Sequence, residues 1–94
     1  MLIELVEIKK TQDEKYKLSK IFLNPEHIIY LSEDTGMRSL CMEGRLSLPI
    51  LQGASFTKIK LNQTKNIGEI TVVGDPSSVE SKIWKNKKRQ ILRG

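Results

Sequence analysis

The chain has 94 residues, enough for one small domain but not for two independent cores, since a chain this short buries only about 60–68% of its unfolded surface. Hydrophobic residues make up 38% and charged residues 29%, which excludes wholesale disorder and points to a folded globular unit. The net charge of +5 is uneven: residues 75–94 hold six basic and two acidic side chains, while the first 74 residues are nearly balanced, so an anionic partner would meet the C-terminal end.

The opening run alternates. Leu2, Glu4, Val6 and Ile8 fall on one side of an extended chain and Ile3, Leu5 and Glu7 on the other, and the polar residues 11–15 break it. Residues 15–23, KYKLSKIFL, keep a rough period of two and predict a second strand. Asn24-Pro25 then ends that strand, because proline lacks a backbone donor and drives its predecessor extended; it predicts a tight corner before the apolar run HIIYL. Phe22 and Tyr30 both lie in runs that read as core. Glu33-Asp-Thr-Gly36 reads as a turn and residues 37–42 as a returning strand, which together predict a hairpin. Gly44, Pro49 and Gly53 allow only an edge strand or an irregular crossing in GRLSLPILQGA. Thr57, Ile59 and Leu61 alternate with lysines in a half-exposed strand, residues 62–68 read as a polar loop, and residues 69–73 as a further strand.

Gly74-Asp75-Pro76 predicts a helix start, with Asp75 as N-cap and Pro76 at the first helical position. From there to about Leu92, Val79, Ile83, Trp84 and Ile91 share one face and Lys82, Lys85, Lys88, Arg89 and Arg93 the other, with Glu80 and Lys87 intruding on the apolar side. The expected fold is therefore a β-rich α+β domain: an antiparallel sheet of five or six strands over residues 1–74, then one amphipathic, basic C-terminal helix over residues 75–92.

Leu23-Asn24-Pro25 with Ile28, the acidic turn Glu33-Asp34, and Val72-Val73 leading to Val79, Glu80 and Ile83 resemble the small FlbD-like family associated with flagellar operons. The resemblance covers about half the chain. The segment 41–65 looks inserted by comparison, and the family's early Asn-Gly hairpin is absent. It implies a small, non-enzymatic, oligomeric accessory protein, of a kind also found in bacteriophage genomes. HIIYLSED is also similar to the sheet of LytTR-type DNA-binding domains.

The chemistry-bearing residues are sparse. His27 is the only histidine and Cys41 the only cysteine, which rules out a disulfide framework and a conventional four-ligand zinc site within one chain. His27 has no nucleophile tied to it by motif, the glycines are isolated rather than grouped in a phosphate loop, and the acids sit as adjacent turn pairs. We expect no enzyme, no cofactor and no metal. No run of roughly 18 apolar residues occurs and residues 1–10 contain acids where a leader would be basic and then apolar, so a cytoplasmic protein without a membrane partner is expected.

Binding is the remaining class. Lys82, Lys85, Lys88, Arg89 and Arg93, with Arg38 and Arg45, are the candidates for holding nucleic acid or an anionic nucleotide, the second in the manner of an oligomeric sponge. Leu46, Leu48, Ile50 and Leu51 have no second helix to hide them in the expected fold, and they and Trp84 are the candidates for a homo-oligomer interface, in a dimer or a larger ring.

Overall fold

The computed structural model describes the backbone of residues 2–46, 48, 53–63 and 66–93, and the side chains of these except 63, 66, 67 and 86–93. Five strands and two α-helices follow in the order β1 (Ile3–Lys10), β2 (Tyr16–Leu23), β3 (Ile28–Glu33), α1 (Thr35–Met42), β4 (Phe56–Gln63), β5 (Asn66–Val73) and α2 (Pro76–Arg93). The strands form one open antiparallel sheet in the order β2-β1-β5-β4-β3.

Local chemistry sets the connections. Between β1 and β2, the Thr11 amide donates to the Lys15 carbonyl and Glu14 takes the left-handed φ of 63° that closes the turn. After β2, Asn24 accepts from the Glu26 amide at 3.0 Å, and Pro25 opens one turn of 3₁₀ helix over Pro25–His27. Asn24-Pro25 is thus the corner that its residue types predict.

The expected hairpin of residues 27–31 with 37–42 does not form. Residues 35–42 are a helix, so two helices rather than one accompany the sheet, the first inserted between β3 and β4, and β3 pairs instead with β4 (Ile28↔Leu61, Leu31↔Ile59, Glu33↔Thr57) across a bulge at Ile29. Asp34 is the physical reason. Its Oδ1 accepts the Met37 amide at 3.0 Å as an N-cap, and a capping aspartate before Thr-Gly looks in sequence like a hairpin turn. Met37, Leu40 and Cys41, at helical spacing, then face the sheet. The expected loop at 62–68 is also shorter than predicted, since β4 and β5 stay paired as far as Gln63↔Asn66.

The register places alternate residues on opposite faces, and each face has its own cover. On one, Ile3 and Leu5 of β1, Leu23 of β2, Ile59 and Leu61 of β4 and Val72 of β5 form a core closed by Val79 and Ile83 of α2. On the other, Ile8 and Phe56 pack beneath Cys41 of α1 and Leu46 of the segment that follows. Val79 and Phe56 are essentially solvent-free, each worth about 1.5–3 kcal/mol of burial. Thr57 is the one buried polar side chain among the described residues, and its hydroxyl donates to the Gly74 carbonyl at 2.8 Å. Asp75 caps α2 through the Ser78 amide at 2.9 Å, with Pro76 first in the helix, as the sequence predicts.

Candidate interaction surface

The second face is covered only in part. Because Glu4 lies opposite Phe22, Val6 opposite Lys20 and Ile8 opposite Leu18, these six residues share that face. Ile8 is capped by α1 and the chain after it, but beyond that cover Val6 is 37%, Leu18 38% and Phe22 62% exposed. The patch ends at β2, which among the described residues is an edge strand with one unpaired side. A Lys20–Glu4 ion pair at 3.0 Å crosses it; both side chains are more than half exposed, so the pair contributes little to stability and leaves the surface free to rearrange.

Phe22 and Tyr30 therefore do not belong to the core their sequence runs suggest. Tyr30 lies at the opposite edge, on β3, with the Lys60 ammonium 6.0 Å from its ring centre, in cation–π range. The signal in sequence was parity: Phe22 shares its side of β2 with Lys20, so both cannot point into one apolar layer.

The basic candidates are dispersed. Lys82, on α2, donates through Nζ to the Glu4 carbonyl at 3.0 Å and so ties the helix to β1. Lys85 is exposed and lines an open cleft of about 630 Å³ with Ser77, Glu80, Ser81 and Trp84. The side chains of Lys88, Arg89 and Arg93 lie outside the described residues. Arg38, on α1, is paired with Glu33 at 3.0 Å, and Arg45 with Glu43 at 3.4 Å. No single surface among the described residues gathers Arg38, Arg45 and the α2 lysines.

The apolar candidates divide as well. Leu46 is buried in the second core and Leu48 packs half-buried against it, so the second helix does cover what one helix would have left open. Ile50 and Leu51 lie outside the described residues. Trp84 is 61% exposed and does not seal α2 to the sheet, a role taken by Val79 and Ile83.

Hydrogen bonds from neighbouring side chains lower two carboxyls. The Ser78 hydroxyl and amide hold the Asp75 carboxyl below its usual range, and the Thr11 hydroxyl does the same for Asp13. His27 is exposed in the 3₁₀ turn. Among the described residues no three histidine, cysteine or acidic side chains gather as a metal site would require, and no helix is long and apolar enough to cross a membrane.

Comparison with family models, with curated proteins and with solved structures returns no match to this chain.

Proposed function

We propose that the protein is a small, non-enzymatic binding and regulatory module that acts as a homo-oligomer, with the outward side of β1 and β2 as its self-association surface. One observation carries this reading: Val6, Leu18 and Phe22 form an exposed apolar patch that reaches β2, the edge strand of the sheet among the described residues. Such a combination invites burial against another chain, and a second copy supplies the same patch in a two-fold arrangement. Trp84, exposed on α2, offers a further anchor of the kind enriched in interfaces. The FlbD-like resemblance favours an accessory role of this type, in a bacterial or phage cytoplasm.

The amphipathic and basic character read from residues 75–92 supports a second reading, in which α2 lies along nucleic acid. The exposure of Lys82 and Lys85 favours it. Light scattering at two salt concentrations, with and without a short duplex, separates the two. A multiple of the 10.8 kDa chain mass that ignores duplex and salt supports self-association. A monomer whose mass rises with duplex at low salt and falls back at high salt supports the nucleic-acid reading instead.

A further inference from the structure

A second hollow lies far from the α2 surface in sequence and brings together residues from three segments. Glu14 and Lys15 of the β1–β2 turn, Tyr16 at the start of β2, and Arg45 and Leu46 after α1 line a space of about 390 Å³, within the size range of small-molecule sites. Two left-handed residues build it. Glu14, at φ 63°, folds the hairpin end over, and Gly44, at φ 71°, reverses the chain at the end of α1, where the Arg45 amide returns to the Leu40 carbonyl at 3.0 Å. Leu46 is buried and Tyr16 half-buried, both packed into the second core, so they form a fixed wall. Lys15 and Arg45 are exposed, and the contact holding Arg45 is the solvent-facing pair with Glu43.

We propose that this hollow is a binding site for a small organic phosphate of mononucleotide size. Two cations of different elements suit a phosphate, with the guanidinium able to take two of its oxygens at once. The half-buried Tyr16 ring and the Leu46 side chain supply an apolar wall for a planar base. Glu14 is an acceptor for a sugar hydroxyl or a base amine, and it disfavours bare polyanions that bring charge without donors. The site is complete within one protomer. It rests on the binding-module reading for its biological sense and gives that module a ligand, but it needs no second copy.

The test is an amide-resolved NMR titration of the whole protein with AMP as probe, run beside adenosine and inorganic phosphate, with calorimetry for affinity. The expected result is saturable shifts centred on residues 14–16 and 44–46, and AMP binding at least about tenfold tighter than either fragment, since the phosphate and the base each add contacts. Arg45→Gln and Lys15→Gln each weaken AMP by about tenfold, the loss expected for a charge-assisted contact, with an unchanged melting temperature because both side chains are exposed. Tyr16→Leu keeps an apolar wall and weakens AMP while leaving phosphate unaffected. The proposal is overturned if millimolar AMP shifts nothing, if the shifts map elsewhere, or if Arg45→Gln binds as the native chain does. The chain mass, measured in the same samples, separates this from the assembly reading: a monomer that binds AMP here refutes only the oligomer, and a multimer that does not refutes only the site.

Discussion

Replacing Asp34 with alanine examines the part of the fold that decides how the second face is covered. The Asp34 carboxylate holds two elements at once: Oδ1 caps α1 at the Met37 amide, 3.0 Å away, and Oδ2 accepts the Thr71 hydroxyl of β5 at 2.8 Å. Loss of the cap costs about 1 kcal/mol and loss of the hydrogen bond to a charged acceptor about 1.5–3 kcal/mol, so Asp34→Ala should destabilise the protein by about 3 kcal/mol. For a domain of this size that lowers the melting temperature by roughly 12–24 °C. Urea unfolding followed by circular dichroism, at one fixed protein concentration, measures it. Asp34→Asn keeps one oxygen to cap the Met37 amide and places an amide N–H where Oδ2 stood, which the Thr71 hydroxyl can accept, and should recover more than half of the loss. A double-mutant cycle with Thr71→Val should give a coupling of about 1 kcal/mol or more, as expected for directly bonded side chains. A loss below about 0.5 kcal/mol for Asp34→Ala, the range of ordinary surface changes, would refute the clamp and with it the anchoring of α1 on the sheet.

Three other outcomes are expected from the packing and hydrogen bonds of the two cores and the helix cap. Phe56→Ala, at a fully buried position of the second core, should cost about 3–5 kcal/mol in the same unfolding assay. Thr57→Val deletes the buried hydroxyl bonded to the Gly74 carbonyl and should cost about 1–2 kcal/mol, whereas Thr57→Ser, which keeps the hydroxyl, should cost less. Asp75 and Asp13 have folded carboxyls held below their ordinary range, so each contributes stability that is present above the unfolded value and is lost as pH falls below about 4 through the folded one. Asp75→Asn keeps the cap and removes the titration, so its melting temperature should fall less between pH 5 and pH 3 than that of the native chain.

Residues that act locally announced themselves in the sequence. Asn24-Pro25 and Asp75-Pro76 carry their own hydrogen-bonding logic, and the corner and the α2 start stand where those pairs put them. Alternation in β1 marked its two faces correctly: Ile3 and Leu5 enter one core and Ile8 the other. What failed was ambiguous locally. Asp34-Thr-Gly serves equally as a hairpin turn or a helix cap, and only the pairing of β3 with β4 and the Thr71 hydroxyl decide between them. The patch of Val6, Leu18 and Phe22 was hidden for a related reason. Whether an apolar strand residue is buried depends on what lies above its face, and α1 covers Ile8 but stops short of Phe22. The hollow between Lys15 and Arg45 joins residues thirty positions apart, which no spacing rule connects.

The central claim is self-association through the β1–β2 face, and sedimentation velocity of the native chain beside Phe22→Lys tests it most directly. Phe22 is already 62% exposed, so the substitution leaves the folded protomer intact and acts only where another chain would cover it. The account predicts that the native protein sediments as a multiple of 10.8 kDa at micromolar concentration and that Phe22→Lys sediments as a folded monomer. A native protein that stays monomeric at that concentration, or a Phe22→Lys variant that assembles as the native protein does, would contradict it.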